Sequence, residues 1–171
     1  MGSWQRAERL DFVEFVEQRS AALFRTAYVL TGHQQVAEDL VQEALEKACR
    51  RWRRIAAADS PEAYVRRILV NLANDRWRRA KRAGERFEVP ERADPHDSYR
   101  QVELRDGLVR ALHGLPIGMR TVVVLHYLHD QGPEEIAGTL GISPSSVRSQ
   151  LARGMAKLRA SSTNLPQFEG A

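Results

Sequence analysis

The sequence has a single cysteine, Cys49, among 171 residues. That excludes an internal disulfide, and a lone thiol is ordinary in a reducing compartment. Cys49 lies in a helical pattern beside Ala48, which favours buried packing over chemistry. No apolar run approaches the roughly 18 residues of a membrane span, and no signal-peptide core stands near the start. The expected location is the cytoplasm, with no membrane partner. A glycine-rich phosphate loop is missing, as is a convincing serine, histidine and acid set. His126 and His129 share one helical turn in "VLHYLHD", but no further ligand pattern accompanies them. The expectation is a protein with no catalytic residue, no metal and no cofactor, and therefore not an enzyme.

Strand signal is nearly absent as well. "TVVVL" is β-branched, yet its helical flanks and the i, i+3 pair Leu125 and Leu128 favour a buried helix. What the sequence does have is helical periodicity and clustered arginine. With 43% hydrophobic and 28% charged residues the composition is globular. The net charge of +4 is concentrated in "RRWRR" and "RWRRAKR", a pattern that suits a polyanion or, as readily, a solvated face.

In "LDFVEFVEQRSAALFRTAYVL", Phe12, Val16, Leu23, Ala27 and Leu30 return to one face, and Gly32 breaks the pattern. A second helix is expected through "QVAEDLVQEALEKACRRWRR", with Val41, Leu45, Ala48 and Trp52 on one stripe. A third starts at Ser60, a capping serine followed by Pro61 at the first helical position. Val65, Leu69, Leu72 and Arg76 share one face, which Ile68 widens. "AGERFEVPERADPHDS" then loses periodicity and fills with charge, which predicts a flexible linker. Helical pattern resumes at "YRQVELRDGLVRALHGL" and continues after "PIG". The expected fold is all-α, with two small helical domains over 8–82 and 99–160, a linker over 83–98 and a disordered tail over 161–171.

The stretch "GPEEIAGTLGISPSSVRSQLARGMAKL" contains a short helix, Pro133 to Leu140, a turn at Gly141 and a second helix from about Pro144. Gly141 can take the positive φ that ends a helix tightly, and Ser143 can cap the next one. This is the spacing of a DNA-binding helix-turn-helix. Val147, Leu151, Gly154 and Leu158 fall inward, with Met155 at the edge, while Ser145, Ser149 and Ala152 fall outward, flanked by Arg148 and Arg153. Each outward residue alone is ordinary on a surface helix. Combined with the cap, the turn glycine and the inward stripe, they describe a helix able to lie deep in a major groove. Ser145, Ser146, Arg148, Ser149 and Arg153 are the candidate DNA-binding residues, since serine can bond bases or phosphates and arginine can bond guanine bidentately.

The first half adds "AEDLVQEAL" and "SPEAYVRRILVNLANDRWRR", which resemble regions 2.2 to 2.4 of bacterial sigma factors, while the C-terminal half resembles their region 4. With only a short linker between, the chain resembles an extracytoplasmic-function (ECF) sigma factor. "FRTAYVLTG", "EDLVQEAL" and "YVRRILVNLAN" are similar to the actinobacterial SigE-like branch. The resemblance implies a promoter-specificity subunit. Its partners would be core RNA polymerase, through the β′ coiled coil and the β flap, and promoter DNA, with an anti-sigma factor as a further partner. It implies that Asp39, Gln42 and Glu43, on the exposed side of the second helix, dock on the basic β′ coiled coil. It also implies minus-10 recognition and strand opening by Asn71, Asn74, Asp75, Arg78 and Arg79, with DNA contacts at the minus-35 element by the helix-turn-helix. Trp77 could stack on an unpaired base or serve as core packing. The loop "RIAAADS" occupies the place where family members capture a flipped base, and its "AAAD" offers little for specific contacts. His33 also departs from the family's better caps. Two rival readings are a stand-alone helix-turn-helix regulator and an enzyme with a DNA-binding appendage. The first leaves the acidic "EDLVQEA" and basic "NDRWRR" faces unexplained, and the second lacks chemistry.

Overall fold

The structure, a computed structural model, describes residues 2–84 and 106–162, with side chains over 11–84 and 107–161. Among the described residues there are eight α-helices and no strand, as the periodicity predicts. The chain divides into two units, Met1–Arg86 and Phe87–Ala171. Most of the expected linker, the start of the second helical half at 99–105 and the tail beyond 162 lie outside the described residues.

The first unit contains α1 (Gly2–Thr31), α2 (Gln34–Arg50), α3 (Trp52–Ala56) and α4 (Pro61–Arg82). α1 stops where Gly32 takes φ 71° and its N–H donates to Tyr28 O at 2.7 Å. His33 precedes α2 without a side-chain cap bond. Thr31 Oγ1 accepts from the N–H of His33 itself at 3.4 Å. Ala37, Leu40, Val41, Ala44 and Ala48 then bury one face of α2. Cys49 is exposed rather than packed, because one residue along a helix rotates about 100° and carries it off the face that Ala48 buries.

The stripe expected to run unbroken to Trp52 is interrupted at Arg51, whose φ of −122° and ψ of 17° are not helical. No glycine or proline marks this break. Trp52 instead opens α3 and is buried between Phe12 and Phe15, with ring centroids 5.1 and 5.0 Å away. α4 begins as expected: Ser60 Oγ accepts from the Ala63 N–H at 3.2 Å, with Pro61 next in the chain. Leu30, Leu40, Ile55, Val65 and Leu69 are fully buried at the centre of this unit, each contributing about 1.5–3 kcal/mol of apolar burial.

The second unit contains α5 (Asp106–His113), α6 (Ile117–His129), α7 (Pro133–Leu140) and α8 (Pro144–Ser162). "TVVVL", Thr121 to Leu125, is buried throughout in α6. α6 ends at Asp130, a non-glycine residue with φ 51°, a conformation that aspartate tolerates better than most residues. The chain turns back there, with Gln131 N donating to Leu125 O at 3.2 Å and His126 Nδ1 lying 2.9 Å from Gln131 O. His126 thus closes the α6–α7 turn. α8 continues through Ser162, two residues into the stretch expected as tail.

Gly154 lets α8 lie close to α6: a Cβ built there would stand 3.0 Å from Val123 Cγ2 and 3.5 Å from Met119 Cβ. Alanine would gain about 1 kcal/mol of helix propensity against that crowding. Leucine adds three more carbons in the same space and is expected to cost about 1–3 kcal/mol by overpacking. Urea unfolding of Gly154→Leu should show the loss, with Gly154→Ala close to wild type.

Candidate functional site

α7 and α8 form the helix-turn-helix. Gly141 at φ 68° ends α7, and its N–H donates to Ala137 O at 2.9 Å, as does that of Ile142 at 3.2 Å. Ser143 Oγ accepts from the Ser146 N–H at 3.2 Å and lies 3.0 and 2.8 Å from the hydroxyls of Ser145 and Ser146. Val147 and Gly154 are buried beneath α8, and Leu151, Met155 and Leu158 are half-buried. On the other side Ser145, Arg148, Ala152 and Arg153 are exposed, while Ser146 and Ser149 are half-buried. Ser145, Arg148, Ala152 and Arg153 thus lie outward as the spacing places them, whereas Ser149 is partly covered.

Both outward arginines have partners within the unit. Arg148 Nη2 pairs with Glu134 Oε1, in the first turn of α7. Arg153 Nη2 donates to Ser149 Oγ at 2.7 Å. Glu134 is a residue that sequence reasoning did not single out, since nothing local ties it to a residue on the next helix.

On α4, Asn71 and Asn74 are half-buried, and Asp75, Arg78 and Arg79 are exposed. Asn71, Asp75, Arg78 and Arg79 recur at spacings that hold them along one side of the helix. Arg78 Nη1 stands 3.8 Å from Asp75 Oδ1. Trp77 is half-buried, with Lys81 Nζ 4.9 Å from its ring centroid. Arg79, Lys81 and Arg82 fill the last turn, where cations complement the helix dipole. This end of α4 offers amides, guanidinium groups and a partly covered indole, the chemistry that suits phosphates and unpaired bases.

On α2, Asp39 and Gln42 are exposed. Asp39 Oδ1 accepts from Gln35 Nε2 at 3.2 Å, and Gln42 Nε2 donates to Glu46 Oε1 at 3.4 Å. Glu43 differs from its expected exposed placement. It is half-buried at the border with α4, with Arg76 Nη2 at 3.2 Å from its Oε2 and Lys47 Nζ at 3.6 Å from its Oε1. The physical reason is Arg76 itself, a cation one turn beyond Leu72 on the inward face of α4, which reaches an acid on the neighbouring helix. A charge on an otherwise apolar stripe is the signal in the sequence that such a partner exists.

Comparison with known proteins matches this division. Residues 15–83 match the family model for sigma-70 region 2, and residues 105–158 match that for sigma-70 region 4. The RNA polymerase sigma-E factor of Streptomyces antibioticus is 36% identical over 154 residues, which span 90% of this chain and 86% of that relative. The sigma-E factor of Streptomyces coelicolor is 36% identical over 156 residues, spanning 89% of this chain and 86% of its own. Among solved structures, the sigma factor RpoE of Bartonella quintana, crystallised with the anti-sigma factor NepR, superposes with a TM-score of 0.70. That match has 23% identity and covers 88% of this chain and 95% of the other. With both regions matched in order and sigma-E relatives aligned over nearly its full length, the chain belongs to the ECF group of the sigma-70 family of RNA polymerase sigma factors.

Proposed function

We propose that the chain is a promoter-specificity subunit that divides its work among three faces. Asp39 and Gln42, with Glu43 at their border, dock on the β′ coiled coil of core RNA polymerase. Asn71, Asn74, Asp75, Arg78 and Arg79 on α4 engage the minus-10 element and its opened strand. Ser145, Ser146, Arg148, Ser149 and Arg153 on α8 engage the minus-35 element, and the second unit also meets the β flap. The chain itself makes and breaks no covalent bonds; polymerase supplies the chemistry, and the cytoplasm is where the two meet. The domains are those over 8–82 and 99–160. A linker over 83–98, roughly 16 residues, can stretch to about 50 Å, enough to place the two domains on separate elements of one duplex.

An anti-sigma factor is a further partner in this reading. What supports it is that the sigma factor RpoE of Bartonella quintana is seen in complex with the anti-sigma factor NepR, and CnrH with the cytosolic domain of CnrY.

The observation that carries the DNA-binding assignment is the outward face of α8: exposed arginines at 148 and 153 flanking small side chains, on the second helix of a helix-turn-helix. Arg148→Ala and Arg153→Ala are each expected to weaken binding to the minus-35 element by about 1–3 kcal/mol. A base-bonded arginine should relax specificity at one position, whereas a phosphate-bonded one should weaken all sequences alike. Electrophoretic shifts on base-substituted promoters separate the two. Wild-type binding by both variants to every promoter would mean that another face of the unit meets DNA.

A further inference from the structure

The two outward arginines of α8 are held differently. Arg153 donates to a neutral hydroxyl, Ser149 Oγ, and keeps its full charge. Arg148 pairs with a carboxylate, Glu134, that comes from the other helix of the motif. We infer that Glu134 is a positioning residue for Arg148, and that it makes binding by the recognition helix more dependent on base sequence and less dependent on phosphate charge. The inference rests on the reading of α8 as the minus-35 helix.

The pair is open to solvent, with the Arg148 and Glu134 side chains 57% and 69% exposed. An ion pair so exposed adds little to folding, so its consequence lies in what the guanidinium can do next. A free arginine is attracted to any phosphate along the duplex. A paired one carries no net charge to offer, and to follow a phosphate it must leave Glu134 and strand that carboxylate beside a polyanion. A guanine edge makes a different demand. It needs two parallel donors, and a guanidinium with five N–H groups can keep one on Glu134 while presenting others. The carboxylate also holds a long side chain that would otherwise lose rotamer freedom on binding. Glu134 therefore weakens the sequence-independent contact and spares the sequence-dependent one. Arg153 supplies phosphate attraction without such a restraint.

The test uses the full chain and fluorescence anisotropy at several salt concentrations. One duplex is selected from a random pool by the wild-type chain, and the other is its scrambled counterpart. Glu134→Gln should strengthen binding to the scrambled duplex and steepen its slope of log affinity against log salt by about 0.9, one phosphate contact. The ratio of selected to scrambled affinity should fall about tenfold. Glu135→Gln removes the same charge one residue along and should leave that ratio unchanged. In an Arg148→Ala background Glu134→Gln should have no effect on the ratio, the sign that it acts through Arg148. Equal ratios in Glu134→Gln and Glu135→Gln, or an effect that persists without Arg148, would overturn the inference. A collapsed ratio in Arg148→Ala beside a wild-type ratio in Glu134→Gln would overturn it alone. A wild-type ratio in Arg148→Ala with weaker binding to both duplexes would overturn it alone, whereas wild-type affinity for both duplexes would overturn it together with the assignment of Arg148 to the minus-35 element.

Discussion

Replacing Asp39 and Gln42 together by lysine is expected to lower affinity for core RNA polymerase at least a hundredfold while the helices stay folded. Both side chains are exposed on α2, and their hydrogen bonds reach only to neighbours on the same helix, Gln35 and Glu46. Surface changes of this kind usually move stability by about 0.5 kcal/mol or less. Against a basic coiled coil, however, two new cations replace attraction by like-charge opposition, which costs several kcal/mol at an interface, and about 2.7 kcal/mol is already a hundredfold. Glu43 is left out of this variant for a structural reason. Lysine there would face Arg76 and Lys47, which now pair with the carboxylate, so lost binding and lost stability would be mixed. A pull-down with core enzyme alongside circular dichroism reads the two effects separately. A folded double-lysine variant that retains core would remove α2 as the docking face.

The largest expected loss of stability comes from Arg120→Ala. This guanidinium is only 8% exposed. Its Nε donates to Leu112 O at 3.0 Å, and its Nη2 to His113 O at 3.3 Å and Leu115 O at 3.0 Å. These carbonyls belong to the last turn of α5 and the loop after it, where helix carbonyls lack the usual i+4 partner. Burial lowers the Arg120 pKa to about 10, which leaves it charged at neutral pH. Alanine would remove the guanidinium bonds to three carbonyls, of which Leu112 O keeps the Leu115 N–H at 3.0 Å, and would open a cavity; the expected cost is about 3–5 kcal/mol. Lysine should recover only part, because one ammonium cannot reproduce the spread of a planar guanidinium. Thermal unfolding of the full chain checks both variants. Wild-type stability in Arg120→Ala would mean that the α5–α6 turn is held by its apolar contacts alone.

The helix-turn-helix was legible because every boundary in it has a local chemical cause. Pro133 can open a helix, Gly141 can take a positive φ, and Ser143 can cap the second helix; all three act within a few residues of themselves. The buried reading of "TVVVL" was equally local, resting on helical flanks around an apolar run. The break at Arg51 had no such marker. It accompanies the burial of Trp52 between two phenylalanines of α1, a long-range event that periodicity within one helix does not report. Cys49 was misplaced by its neighbour: Ala48 is buried, and adjacency along a helix says little about sharing a face. The same limit explains the candidate sites. Outward faces of α4 and α8 follow from spacing. The pairing of Glu43 with Arg76 and of Glu134 with Arg148 depends on which helices pack together, and neither pair is close in sequence.

Run-off transcription tests the sigma-factor assignment most directly. Purified core polymerase is supplied with a genomic promoter library, with and without the full chain. Added chain should yield transcripts from a small set of start sites that share two upstream elements at constant separation, none of which core polymerase uses alone. A chain that binds such DNA by itself, yet adds no transcript when core enzyme is present, would contradict the assignment and identify a stand-alone DNA-binding regulator.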